Sequence, residues 1–82
     1  MAFSIPLAML SSAGYTKYKL VSMSNTSNQC VDYPASPAYG YGSLGSLVVD
    51  TEYSIDYSNP SNYFRFFAIY GDQYSNCHLV IY

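Results

Sequence analysis

Between Leu47 and Tyr57 the chain alternates without a break, and a short chain has few folds that accept such a segment. Leu47, Val49, Thr51, Tyr53, Ile55 and Tyr57 share one parity; Val48, Asp50, Glu52, Ser54 and Asp56 share the other. Successive side chains of a β-strand point to opposite faces, so this parity predicts a half-buried strand with one apolar face and one polar face. Residues 15–23 repeat the pattern, with Tyr18 and Leu20 on one side and Lys17 and Lys19 on the other. Further strands are expected near 30–33, 63–70 and 77–82. They are bounded by the Ser, Asn, Gly and Pro clusters at 24–28, 58–62 and 71–76 and by the Pro- and Gly-rich loop at 34–46. Helical periodicity is nearly absent, apart from room for one turn near the N-terminus. The expected fold is all-β: a small antiparallel sandwich or barrel, meander or Greek-key-like, of about five to six strands.

Within this plan residues 15–82 form a single β domain, and residues 1–14 form an apolar N-terminal arm. That arm has no basic residue ahead of it, and Ser4 and Pro6 interrupt its apolar run. It therefore reads as a segment packing on the domain or on a neighbour rather than as a cleaved leader. No stretch reaches the length of a membrane-spanning helix.

Composition then narrows the function. Charged residues are 10% of the chain, against about 25% in an average soluble domain, so Ser, Asn, Thr and tyrosine hydroxyls must supply the polar surface. With net charge −2 such a surface has little electrostatic defence against association. Lys17, Lys19 and Arg65 are the only basic residues, too few to grip a phosphate backbone, and nucleic-acid binding is not expected.

Chemistry-bearing motifs are weak. Residues 40–45 spell G-x-G-x-x-G, but they lead into a strand, whereas a dinucleotide site needs a strand before the motif and a helix after it. Asp50, Glu52 and Asp56 share a strand face without a cleft to raise a carboxyl pKa. Cation ligands usually converge from a loop, and the Asp72–Ser75 turn is similar to a βγ-crystallin calcium loop over four residues only. His78 with Cys30 and Cys77 lacks paired zinc spacing. No catalytic residue, metal site or cofactor is expected, and the chain does not read as an enzyme.

Three groups of residues remain. Cys30 and Cys77 are disulfide candidates, both at strand starts and so at one end of a sandwich. Phe67, Ile69, Val48, Val80 and Tyr82 are interface candidates. A hairpin joining 47–57 to 63–70 would send Phe64 and Phe66 inward, set Arg65 opposite Asp56, and leave Phe67 and Ile69 facing out. Tyr39, Tyr41 and Tyr74 are recognition candidates at loop tips, since tyrosine offers large contact area at low entropy cost.

Residues 45–60, Gly-Ser-Leu-Val-Val-Asp-Thr-Glu-Tyr-Ser-Ile-Asp-Tyr-Ser-Asn-Pro, resemble the last jelly-roll strand of small icosahedral virus coat proteins of the tombusvirus and nodavirus type. There, too, a Gly precedes a long alternating strand and a Pro follows it. The resemblance implies a coat subunit or accessory virion protein, although a full jelly roll has eight strands and the basic genome-binding arm is missing here.

Two functions are compatible with these residues. The first is a self-associating structural protein of a virion or extracellular assembly, whose partners are copies of itself or other subunits. The second is a secreted binding module with a Cys30–Cys77 bridge that recognises carbohydrate, another neutral polar ligand or a host protein.

Overall fold

The computed structural model describes residues 2–22, 29–37, 47–68 and 78–82. Along the chain they form β1 (Ala2–Pro6), α1 (Leu7–Ala13), β2 (Lys17–Ser22), β3 (Gln29–Asp32), β4 (Glu52–Ser54), β5 (Tyr63–Ala68) and β6 (His78–Ile81). Two three-stranded sheets result, ordered β1-β5-β3 and β4-β2-β6, with every pairing antiparallel. Odd-numbered strands build one sheet and even-numbered strands the other. Among the described strands the chain therefore changes sheet at each connection, and no two consecutive ones pair.

Apolar side chains from both sheets meet in one core. Leu7, Leu10, Tyr18, Leu20, Ile55, Phe64 and Phe66 are buried, with Phe3, Ile5, Val31, Tyr33, Leu79 and Ile81 packed around them. Tyr18 on β2 meets Phe64 on β5 edge-on across the layers, with ring centroids 5.1 Å apart. Within the first sheet the register sets Phe3 and Val31 beside Phe66, and Ile5 beside Phe64. The central strand of that sheet thus carries its two inward phenylalanines between apolar neighbours on both sides.

The segment expected to be an N-terminal arm is built into the domain as β1 and α1. Pro6 has no amide hydrogen and a fixed φ, so it ends the strand and serves as the N-cap of the helix. Leu, Ala and Met then favour helix, and burial of Leu7 and Leu10 holds seven residues that would not stay helical alone. Gly14 stops the helix at φ 84°, and its amide donates back to the carbonyls of Leu10 and Ser11. Only glycine adopts that left-handed cap at little conformational cost.

The alternation at 47–57 survives as burial more than as strand. Odd-numbered residues are buried or half-buried throughout and even-numbered residues are exposed, yet only Glu52–Ser54 pair as β4. Asp50 has φ 62°, which breaks the extended backbone, and its amide donates to the Leu20 carbonyl at 2.9 Å.

The expected hairpin between this segment and the strand beginning at Tyr63 does not form. β4 pairs with β2, setting Tyr53 opposite Tyr18, while β5 lies in the other sheet between β1 and β3. Two local features steer the chain across. The Asp56 carboxylate accepts the Ser58 amide and the Asn59 side chain accepts the Ser61 amide, side-chain turns that replace a tight two-residue hairpin. In addition, β1 offers Phe3 and Ile5 to the phenylalanines of β5, a more apolar partner than β4. Arg65 consequently faces Asp32 on β3 rather than Asp56. Its Nε donates to Asp32 Oδ1 at 2.8 Å and its Nη2 to Oδ2 at 2.6 Å. The pair is bidentate, and the arginine is buried rather than on an open outer face.

Candidate assembly edge and the outer face beside it

The second sheet has β2 at its centre, which makes β4 and β6 its edges. Lys17 and Tyr82 exchange both backbone hydrogen bonds, at 2.8 and 2.9 Å. In an antiparallel ladder such pairs recur every second residue, so Val80 turns its amide and carbonyl toward Lys19. Those of Leu79 and Ile81 then point the other way, along the outer edge. Among the described residues no strand lies beyond β6.

Sheet edges are normally blunted by charge, proline, a bulge or brevity. Three of the four described edges follow that rule: β1 ends at Pro6, β3 carries Asp32, and β4 carries Glu52 on three residues. The His-Leu-Val-Ile of β6 contains no Asp, Glu, Lys, Arg or Pro. The register shift in its ladder falls on β2, where Leu20 and Ser22 face the consecutive residues Leu79 and His78, so the extra residue belongs to β2. β-branched and aliphatic residues of this kind also favour extended pairing.

Beside this edge, the outer face of the second sheet joins all three strands through one carboxylate. Glu52 Oε1 accepts the Tyr82 hydroxyl at 2.8 Å, and Oε2 lies 3.2 Å from Lys17 Nζ. These bonds hold the Glu52 carboxyl below its ordinary pKa, the Tyr82 hydrogen bond first and Lys17 next. The same bond raises the pKa of Tyr82, because ionising the phenol would give up the hydrogen bond it donates to Glu52. Lys19 stands between Glu52 and Val80 in the register. Tyr82 is 40% exposed, so an aromatic ring is presented to solvent while its hydroxyl is held.

The interface candidates fall in different places. Val48 is 62% exposed at the turn before β4, and Tyr82 and Val80 lie at the β6 edge, Val80 half-buried. Phe67 is placed by backbone register opposite Ala2 and Cys30, and only its backbone is described. Ile69 lies outside the described residues. Cys30 sits on β3, and its intended partner Cys77 lies outside the described residues, as do Tyr39, Tyr41 and Tyr74. The loop glycines at 40–45 and the turn at Asp72–Ser75 lie outside them as well.

Asp50, Glu52 and Asp56 are all exposed, but they serve different neighbours. Asp56 is tied to the Ser58 amide, which lowers its pKa, and Asp50 sits in a turn. Among the described residues no three His, Cys, Asp or Glu side chains gather where a metal ion could bind. No helix there is long and apolar enough to cross a membrane.

Sequence reasoning missed the structural use of tyrosine. The Tyr53 hydroxyl accepts the Val48 amide at 3.0 Å, and the Tyr33 hydroxyl accepts the Asp56 amide at 3.2 Å. The Tyr57 hydroxyl donates to the Tyr15 carbonyl at 2.6 Å, and burial raises its pKa. In a chain poor in charge, phenols tie connecting segments to the sheets. The signal was present in the odd parity of Tyr53 and Tyr57, which places both rings toward the interior.

No protein-family model, curated protein or solved structure matches this chain.

Proposed function

We propose that this chain is a non-enzymatic β-sandwich subunit that works by self-association, within a virion or an extracellular assembly. The carrying observation is the β6 edge: aliphatic, without charge or proline, on a protein whose surface has little charge elsewhere. Natural sheets that stay apart guard such edges, and an unguarded edge is a template for another chain. The exposed Val48, at the turn before β4, adds apolar surface that favours contact over solvation. Sedimentation velocity across a concentration series tests this reading. A concentration-dependent shift from monomer to a larger species is the expected result. A single monomeric species at the highest soluble concentration overturns it.

A second reading rests on the Tyr82–Glu52–Lys17 group. An exposed aromatic ring flanked by a fixed carboxylate and an ammonium suits stacking against a sugar ring with hydrogen bonds to its hydroxyls. In this reading the chain is a secreted binding module. Titration with neutral oligosaccharides, with Tyr82→Ala as the comparison, distinguishes it from self-assembly. The mass of the native protein before and after reduction tests the Cys30–Cys77 bridge that this reading includes.

A further inference from the structure

We infer that β6 pairs antiparallel with β6 of a second copy of this chain, about a two-fold axis at Val80, which deepens and rests on the self-association reading. The outward-pointing backbone groups belong to Leu79 and Ile81, two residues apart. An antiparallel partner related by a two-fold at Val80 sets Leu79 opposite Ile81 of the second copy, and Ile81 opposite its Leu79. Each opposition is then a hydrogen-bonded pair, so both outward amides and both outward carbonyls of each copy find partners. Any register with odd displacement would set Leu79 and Ile81 against residues whose polar groups already face their own β2. The strand is therefore self-complementary in this arrangement, as an isologous interface requires.

Side chains agree with the register. Leu79 and Ile81 pack against the core, so pairing them extends the apolar interior of one sheet into that of the next. Val80, on the outer face, meets Val80 of the second copy at the close, non-hydrogen-bonded position. His78 falls opposite Tyr82, with no charged residue at any paired position. The two sheets of order β4-β2-β6 become one continuous sheet with β4 at each outer end, where brevity and Glu52 guard the edge. The assembly closes at two copies through this edge, and any larger assembly needs a further surface.

The test uses Val80→Lys and Val80→Glu, each alone and then mixed in equal amounts. Like charges at the axis should weaken self-association by at least about tenfold in each variant alone, while the mixture should recover a mixed dimer. A merely unfolded variant does not recover on mixing, and circular dichroism of each variant checks the sheet independently. Ile81→Pro is the second probe, since it removes an amide that points outward and spares the ladder to β2. It should give a folded monomer. If the charged variants and Ile81→Pro all associate as tightly as the parent, pairing through β6 is overturned while self-association stands. If the parent itself is monomeric, the self-association reading falls with it.

Discussion

Replacing Asp32 with Leu removes the carboxylate bonded twice to a guanidinium whose side chain is only 8% exposed. The arginine cannot lose its proton and has little water to turn to. Breaking a buried pair in this way costs about 3–5 kcal/mol. Replacing Arg65 with Met is milder, because the Asp32 side chain left behind is 27% exposed and can be hydrated. Roughly 1–3 kcal/mol is expected there. The double variant, with both charges replaced by apolar groups, should return to within about 1 kcal/mol of the parent. At roughly 0.05–0.15 kcal/mol per residue, 82 residues have about 4–12 kcal/mol in total, so the Asp32 variant should be near its folding limit. Urea unfolding followed by tyrosine fluorescence and far-ultraviolet circular dichroism measures all three, since the chain has no tryptophan. Equal losses in the two single variants, or a double variant as unstable as their sum, would refute the asymmetry argued from burial.

Phe64→Ala should cost about 3–5 kcal/mol by chemical denaturation, because Phe64 is fully buried between Ile5, Tyr18 and Tyr33. Ser4→Ala should leave stability unchanged or raise it by up to about 1 kcal/mol, since its hydroxyl is buried with no hydrogen-bond partner among the described residues. Gly14→Ala should cost about 1 kcal/mol in thermal unfolding; the added methyl meets nothing within 4 Å, so the loss is purely conformational at φ 84°. For Glu52, carbon-detected NMR titration should give a pKa below the ordinary carboxylate range, moving upward in Tyr82→Phe. The sign follows from linkage. A lowered carboxylate pKa supplies stability above its unfolded value that is lost as pH falls through the folded one. The raised Tyr82 pKa supplies stability that is lost only as pH climbs beyond the ordinary tyrosine range.

Parity in the sequence identifies which side chains face inward. Tyr18, Leu20, Ile55, Phe64 and Phe66 are all buried, and the exposure of 47–57 follows odd and even numbers without exception. Parity says nothing of which strand lies alongside. Arg65 has the same parity whether Asp56 or Asp32 is its neighbour, so the choice depended on pairing energies spread over β1 and β3. Proximity in sequence favoured the nearer acid, and the turn chemistry around Asp56 and Asn59 defeated it. The β6 edge was half legible. Val80 and Tyr82 stand out in the sequence as interface candidates, but that β6 lies at an edge is a property of topology, not of its own residues.

Alternation of the strands between layers also bears on how the chain acquires its structure. Each ladder joins segments distant in sequence: β1 waits for β5, and β2 can have both neighbours only after residue 81 has been synthesised. Among the described residues no two consecutive strands pair into a hairpin that could act as an early nucleus. Domains dominated by distant pairings fold over milliseconds to seconds, because loop closure must precede the contacts that reward it. A ribosome that has released the first sixty or so residues holds Phe3, Ile5, Tyr18 and Leu20 with incomplete cover, a state open to misassociation. Refolding should accordingly be slow for so small a protein, and nascent chains truncated before β6 should bind holdase chaperones that the full chain escapes.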